Sequence, residues 1–106
     1  MSIWPISVTE QSVSTETAKV IYTPRPRRIG KITSISVNGP ALLAYHISIY
    51  KQTASKNNIM LPLFSFSLDA GDVVMDDTIY YLGEGDSIFA LANVSNVSVI
   101  IDGEEI

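Results

Sequence analysis

The chain has 106 residues, 46% of them hydrophobic and 17% charged, with a formal net charge of -4. That length suits one domain with one modest core. The chain contains no cysteine and one histidine, which excludes disulfide bridges, thiolate zinc sites, a cysteine nucleophile and zinc sites built from two imidazoles. Its acidic balance argues against nucleic acid as a partner, because phosphate binding needs a positive surface.

Side chains branched at Cβ are abundant, with 23 isoleucines and valines together, and they fit a pleated sheet better than a helix. Leu43, Tyr45, Ile47 and Ile49 show the alternation typical of a strand. In chain order, apolar runs bounded by turn signals predict eight strands, at residues 18–23, 31–37, 41–51, 59–68, 73–75, 79–82, 87–92 and 97–102. The pattern therefore predicts an all-β protein, a compact antiparallel β-sandwich or jelly-roll-like domain of seven or eight short strands spanning residues 18–106.

Several turns and irregularities are predicted within this domain. Residues 83–86, Gly-Glu-Gly-Asp, lack the lysine and following helix of a phosphate loop, so they are interpreted as a hairpin turn. Residues 93–96 are predicted to close a second hairpin. Pro62 inside the fourth predicted strand indicates an edge strand or a bulge. In residues 87–92, Phe89 and Leu91 face away from Ile88 and Ala90, so either both faces are buried or one face meets a partner.

Residues 1–17 form a separate segment with two interpretations. Ile3, Trp4 and Ile6 are apolar, whereas residues 10–17 are polar. The segment is either an edge strand of the same domain or an arm that packs Trp4 on a neighbouring subunit. These three residues are candidate interface residues.

Charge is distributed unevenly along the chain. Residues 1–56 hold all seven basic residues against two acids, a net charge of +5, and residues 57–106 hold nine acids and no base. Either the two sets neutralise one another within the domain, or the surface is bipolar and suits contact between copies. Arg25, Arg27 and Arg28 complete the candidate interface.

Catalytic or metal-binding chemistry finds little support in the sequence. Asp69, Asp72, Asp76, Asp77 and Asp86 could gather around calcium, but their spacing matches no EF-hand loop and turn aspartates usually bond the backbone. His46 lies in mid-strand and no Gly-x-Ser-x-Gly elbow is present, so it is interpreted as a structural histidine. The sequence predicts no catalytic, cofactor-binding or metal site, and the protein is expected not to be an enzyme.

Membrane insertion is not expected either. The apolar stretches near residues 41–50 and 59–68 are much shorter than the roughly 20 residues of a spanning helix. Residues 1–8 lack the charge and the apolar run of a signal peptide. We therefore expect a soluble protein with no membrane partner.

The order of several short patterns resembles a group of small tailed-bacteriophage virion proteins. A Tyr-Thr-x-Pro start precedes a Thr-Ser-Ile-x-Val-Asn strand, two Gly-Asp turns follow, and a Val-x-Val-x-x-x-Gly-Glu strand ends the pattern. These are the patterns of the group, and the corresponding residues here are 20–24, which end in Tyr-Thr-Pro, and 32–38, 68–72, 80–88 and 97–104. The resemblance spans residues 18–104, and the segment containing Trp4 has no counterpart in it.

The resemblance implies a β-sandwich module on a phage particle, without catalytic residues or cofactor. The expected function is that of a head decoration (cement) protein, a homo-oligomer that binds the major capsid protein or other virion proteins and copies of itself. Its expected location is the virion, assembled in the host cytoplasm. Two alternatives stay open: a tail- or fibre-associated module that recognises a host receptor through Tyr50, Tyr80 and Tyr81, and a small hydrolase using His46 or the acids.

Overall fold

The computed structural model describes residues 3–53 and 59–106, and no part of these ranges is helical. Within them, accordingly, no helix is long and apolar enough to cross a membrane. The strands are β1 (Trp4–Glu10), β2 (Lys19–Tyr22), β3 (Gly30–Asn38), β4 (Tyr45–Thr53), β5 (Ile59–Leu68), β6 (Val73–Asp76), β7 (Tyr80–Leu82), β8 (Ser87–Ala92) and β9 (Ser98–Glu105).

These strands form two antiparallel sheets. Sheet A has the order β1-β9-β3-β6, and β7 also pairs with β3. Sheet B has the order β2-β8-β4-β5. Because β6 and β7 pair with successive parts of β3, they serve as one strand interrupted at residues 77–79. Counted in this way each sheet has four strands, as in a jelly roll. The predicted all-β sandwich is confirmed.

The core between the sheets consists mainly of β-branched side chains. Burial alternates most regularly along β8, where Ile88, Ala90 and Ala92 are buried and the residues between them are partly exposed. Completely buried side chains are Ile32, Ile35, Val37, Ile47, Ile49, Leu82, Ile88, Val97, Val99 and Ile101. Burying one such side chain contributes roughly 1.5–3 kcal/mol. The two β-rich halves of the sequence are thus held together by one shared core.

The predicted hairpins were wrong in their connections, although the turns are present. Residues 83–86 do turn, since the Asp86 N–H donates to the Gly83 carbonyl over 3.1 Å and Gly85 has a φ of 85°. The chain then crosses from β7 in sheet A to β8 in sheet B. Residues 93–96 likewise lead from sheet B to β9 in sheet A. A local turn signal marks where a chain reverses but not which strand it then pairs with.

The edge strands of both sheets in the described chain are free to contact another molecule along one side. β1 is an edge strand of sheet A, pairing along its whole length with β9, so residues 4–10 belong to the sandwich. β5 is an edge strand of sheet B with an irregularity where Ile49 faces Phe64 and Tyr50 faces Pro62, as the proline predicted. β6 and β7 form the second edge of sheet A, on the same side of the sandwich as β5.

Candidate interaction surface

Trp4 and two arginines form one cluster at the end of sheet A. Trp4 is the first residue of β1 and faces Glu105 of β9. The guanidinium carbons of Arg25 and Arg28 lie 4.0 and 4.2 Å from the centroid of the indole ring. At such distances the ring attracts both cations through its quadrupole. The structure therefore brings together three of the six predicted interface residues.

The arginines are positioned by a tight turn between β2 and β3. The N–H of Arg28 donates to the carbonyl of Arg25 over 3.1 Å, with Pro26 and Arg27 as the central residues. Arg27 has a φ of 64°, in the left-handed region that normally favours glycine or asparagine. A proline followed by a residue of positive φ is the arrangement of a type II turn. The turn projects an exposed arginine at a position where a side chain costs conformational energy.

Glu105 attaches this turn to the sheet. Its carboxylate is almost completely buried and accepts a hydrogen bond from the Tyr22 hydroxyl at 2.5 Å and one from the Arg25 N–H at 3.3 Å. The Arg25 Nε lies 3.7 Å from the second carboxylate oxygen of Glu105, although the Arg25 side chain is 58% exposed. One buried carboxylate therefore joins β9, β2 and the arginine turn.

The other predicted interface residues lie in different surroundings. Ile3 is exposed next to Trp4 and Arg27 is exposed on the turn. Ile6, by contrast, is buried in the core, where it shares the inner face of sheet A with Val8. Ile29, which the sequence analysis did not select, is exposed beside the turn. We call the surface formed by Ile3, Trp4, Arg25, Arg27, Arg28 and Ile29 the arginine end.

The opposite end of the molecule is acidic. Asp69 and Asp72 form the turn between β5 and β6, where the Asp72 N–H donates to the Asp69 carbonyl over 3.1 Å. The loop of residues 39–44 packs against this turn, since the Gly71 N–H donates to the Pro40 carbonyl and the Tyr45 hydroxyl donates to the Asp72 carbonyl. The loop exposes Leu42 and Leu43. We call the surface formed by Leu42, Leu43, Asp69, Asp72 and Val73 the aspartate end.

The two ends lie at opposite limits of β3. The arginine turn directly precedes Gly30, and Asn38 faces Val73, which follows the aspartate turn. Eight residue steps of a strand span about 26 Å. This is roughly three times the Debye length of about 8 Å at physiological salt, so the two ends do not neutralise each other within one molecule.

Acidic residues lie beside the arginine end as well as on its far side, since Glu104 and Glu105 of β9 face Pro5 and Trp4 and pair with Lys31 and Arg25. Glu84 and Asp86 belong to the turn after β7, which pairs with the start of β3. Three strand spacings separate β7 from β1 in sheet A, a distance of about 14 Å. The positive charge around Trp4 is therefore local to the edge formed by β1.

A second surface follows the edges of β5, β6 and β7. A cleft of about 260 Å³ opens between these edges, with Phe64 and Phe66 on one side and Val74 and Tyr80 on the other. The two phenylalanine rings lie 5.5 Å apart at an angle of 41°. Exposed apolar side chains on this edge are Met60, Leu61, Phe66, Val73, Met75, Ile79 and Tyr81. We call this set the edge surface.

His46 lies within a network of serines on the outer face of sheet B. Its two ring nitrogens lie 2.7 Å from the Ser65 hydroxyl and 2.9 Å from the Ser67 hydroxyl, and Ser65 is also 3.1 Å from the Ser48 hydroxyl. A serine at 2.7 Å has the spacing of a nucleophile and its base. The Nδ1 partner is however a hydroxyl, which cannot stabilise an imidazolium as the carboxylate of a triad does. The geometry is that of a cross-strand hydrogen-bond network.

The turn aspartates are dispersed over the molecule. Asp76 accepts hydrogen bonds from the Thr78 N–H and the Tyr80 hydroxyl, and Asp86 accepts one from the Gly83 N–H. Among the described residues no three acidic or histidine side chains group together in a way that could hold a metal ion. These carboxylates organise the turns in which they occur, as turn aspartates commonly do.

Three tyrosine hydroxyls make the protein sensitive to alkali. Burial, followed by the hydrogen bond to Asp76, raises the pKa of Tyr80 to about 12. Burial is also the main cause that raises the pKa of Tyr22 and Tyr45, with the Glu105 and Asp72 charges adding to it. In the unfolded chain these hydroxyls ionise near pH 10. Each neutral hydroxyl therefore stabilises the folded state fully below about pH 10. This stabilisation is lost as the pH rises towards the raised pKa of the hydroxyl in the folded protein.

We therefore expect the urea midpoint of unfolding to fall between about pH 9 and about pH 11, and to fall less in Tyr80→Phe, which removes one of the ionising groups. Trp4 fluorescence would report the transition. An equally steep fall in both proteins would show that Tyr80 does not contribute.

Sequence reasoning missed the residues that organise the arginine end. Tyr22 and Glu105 are separated by 83 positions, and no pattern in the sequence links them. Tyr22 is the one buried residue of β2, whose burial pattern does not alternate, so the local pattern gave no signal for it. Glu105 follows the alternation of β9, on the same face as Val99 and Ile101, but its contact with Tyr22 was not predictable from that pattern.

Comparison with known proteins adds no assignment. A scan against models of protein families finds no match for the chain. A search of curated proteins also finds none. The resemblance to phage virion proteins therefore stays a prediction.

Proposed function

We propose that this protein is a non-enzymatic structural protein of a phage virion, a head decoration (cement) protein that binds the capsid surface as a homo-oligomer and stabilises it. Its location would be the virion, assembled in the host cytoplasm, with the major capsid protein or other virion proteins and copies of itself as partners. The proposal starts from the resemblance of residues 18–104 to small virion proteins and depends on one structural observation, the edge surface.

The edge surface supports binding to another protein. Seven large apolar side chains are exposed along the open side of the sandwich, and Met75 is 70% exposed. Phe66 and Met75 line one cleft together with Phe64 and Val74, and exposed apolar surface of this kind typically marks an interaction site. The outer edges of β5 and β6 also present backbone groups that no strand of the described chain pairs with. Such an edge can add to a neighbouring sheet through main-chain hydrogen bonds.

The jelly-roll topology agrees with the proposal but carries less weight. The fold occurs in viral capsid proteins and also in lectins and cupins, so it does not by itself indicate a function. Repeated attachment at identical sites on a capsid makes individually modest contacts effective, because each additional site multiplies the apparent affinity. A small domain with an apolar edge is suited to that use.

The proposal is tested by co-sedimentation of the purified protein with capsids lacking the decoration protein and, in parallel, with isolated tails and host cells. Saturable binding to capsids at a fixed ratio per capsid subunit is expected. Binding only to tails or host cells would overturn the decoration role and support a receptor-recognition module, for which Tyr50 on β4 and Tyr81 on β7 would be the first residues to replace.

A pair of matched substitutions tests the edge surface itself. Met75→Glu places a charge on this surface and should reduce capsid binding by about tenfold or more. Val20→Glu is the control, because Val20 is 52% exposed on β2, at the opposite edge of sheet B. The unfolding free energy of both variants, measured in urea, should stay within about 0.5 kcal/mol of that of the wild type. Equal binding by the two variants would exclude the edge surface as the capsid contact.

A further inference from the structure

The two ends of the molecule have complementary surfaces. Each presents exposed apolar side chains next to charged ones, Trp4 and Ile29 with arginines at one end and Leu42 with aspartates at the other. Leu42 is 90% exposed and the adjacent Leu43 is 55% exposed, so two leucines of one loop face solvent together. Complementary charge around apolar contacts is the usual composition of a specific protein interface.

From this complementarity we infer that the protein associates with itself head to tail, the aspartate end of one copy docking on the arginine end of the next. The inference deepens the proposed function, on whose homo-oligomer it rests, by naming the surfaces through which copies meet. The two surfaces differ, so the contact is heterologous. Successive contacts produce a closed ring if the rotation between copies closes, and a filament if it does not.

Charge placement favours a second copy as the occupant of the arginine end. Arg25 is neutralised in part by buried Glu105, whereas Arg27 projects from the turn into solvent. Its positive φ means that the fold tolerates strain to keep an arginine there. The two aspartates of the opposite turn are exposed and lie about 26 Å away along β3, too far to serve as counter-ions within the same molecule.

Local geometry at the aspartate end also suits an incoming side chain. A shallow cleft of about 290 Å³ opens beside this end, and its walls include Tyr45, Asp69 and Asn93. The exposed Asp69 carboxylate can accept hydrogen bonds from an arginine side chain, whereas the Tyr45 ring is buried and takes no part. The arginine end supplies such side chains on a fixed turn.

The decisive experiment uses two variants that each damage one end. Arg27→Asp reverses the charge of the arginine end, and aspartate tolerates the left-handed conformation of that position. Asp72→Asn removes a charge from the aspartate end and, unlike a lysine, offers no new partner to Arg27→Asp. Each variant alone should self-associate at least tenfold more weakly than the wild type in sedimentation velocity. Mixed together they should form a 1:1 heterodimer that grows no further, because the intact aspartate end of the first variant fits the intact arginine end of the second.

Native mass spectrometry identifies that heterodimer, since the two variants differ in mass. A mixture that stays monomeric, or variants that associate as well as the wild type, would overturn the inference, as would a wild type that is monomeric at all concentrations. Association should also weaken as salt is raised from about 0.05 M to about 0.5 M.

A second variant protects the test against misfolding. Leu42→Gln changes a side chain that is almost fully exposed, so it should leave the urea midpoint unchanged while weakening self-association about tenfold. Met75→Glu on the edge surface is the control and should self-associate as the wild type does. Unchanged association in Leu42→Gln would exclude the aspartate end. Capsid co-sedimentation is measured separately, so loss of capsid binding with retained head-to-tail assembly would reject the decoration role and keep this inference.

Discussion

Replacing Gly103 with alanine is expected to destabilise the protein by about 3 kcal/mol. A Cβ atom at this position would lie 2.0 Å from the carbonyl oxygen of Lys31 and 3.0 Å from the Cα of Ile32. Both are backbone atoms of β3, a central strand of sheet A that pairs with β9 on one side and with β6 and β7 on the other. The clash cannot be relieved by rotating a side chain, so β9 and β3 must separate.

The reason lies in the pairing of these two strands. The register between β3 and β9 shifts between Ile32 and Ser34, so Thr33 is an extra residue opposite the Gly103 region. Such a bulge bends the strand and brings the backbones close together, which a glycine accommodates. Gly103 also faces Ile6 of β1, so the substitution would disturb the strand that carries Trp4.

Urea unfolding of Gly103→Ala beside Gly83→Ala measures the effect. Gly83 is the matched control, because a Cβ there would meet only the Asp86 Oδ2 at 3.7 Å, an ordinary contact, and its φ is not in the left-handed region. Gly83→Ala should change stability by about 0.5 kcal/mol or less. If both variants were equally stable, β9 and β3 would have to be farther apart than the structure places them.

The strands of this protein were predictable from local pattern, but their partners were not. Alternation of apolar residues located β3, β4, β8 and β9 to within a few residues, because inward-facing positions such as Ile47 and Ile49 must be apolar on a half-buried strand. The same signal indicates neither the sheet of a strand nor its neighbour. Residues 83–86 show this limit, since a turn that suits a hairpin serves instead to carry the chain across the sandwich.

The candidate interface was predictable only in part for a similar reason. Composition alone selected Trp4 and the arginines, and the fold brings Trp4, Arg25 and Arg28 into contact because β1 pairs with the last strand of the chain. Ile6 was chosen together with Trp4 and shares its face of β1, but Ile6 is buried in the core whereas Trp4, the first residue of the strand, is 39% exposed. The uneven charge of the sequence becomes two charged ends of the molecule because the arginine turn and the aspartate turn lie at opposite limits of β3.

Replacing Glu105 with alanine is expected to cost about 3 kcal/mol of unfolding free energy. The substitution leaves the buried Tyr22 hydroxyl without its acceptor and removes the carboxylate that holds the Arg25 N–H and guanidinium. An unsatisfied buried hydroxyl alone costs about 1–3 kcal/mol. The lost volume beside Tyr22 adds to that cost.

The neighbouring residue provides the control for this prediction. Glu104 forms a surface ion pair with Lys31 at 3.9 Å, and its side chain is 39% exposed. Pairs of this kind contribute about 0–1 kcal/mol, so Glu104→Ala should leave stability nearly unchanged. The two variants remove the same atoms from adjacent positions of β9. Similar losses in both would mean that Glu105 does not act as a buried anchor.

A double-substitution cycle with Tyr22→Phe separates the hydrogen bond from the rest. Tyr22→Phe in the wild type leaves Glu105 without one of its donors, whereas the same change in Glu105→Ala removes a hydroxyl that has already lost its partner. The two substitutions should therefore be less than additive, with a coupling of about 1–2 kcal/mol. Additive losses would show that the two side chains act independently. Because the same carboxylate holds the arginine turn, Glu105→Ala should also weaken self-association through the arginine end, whereas Glu104→Ala should not.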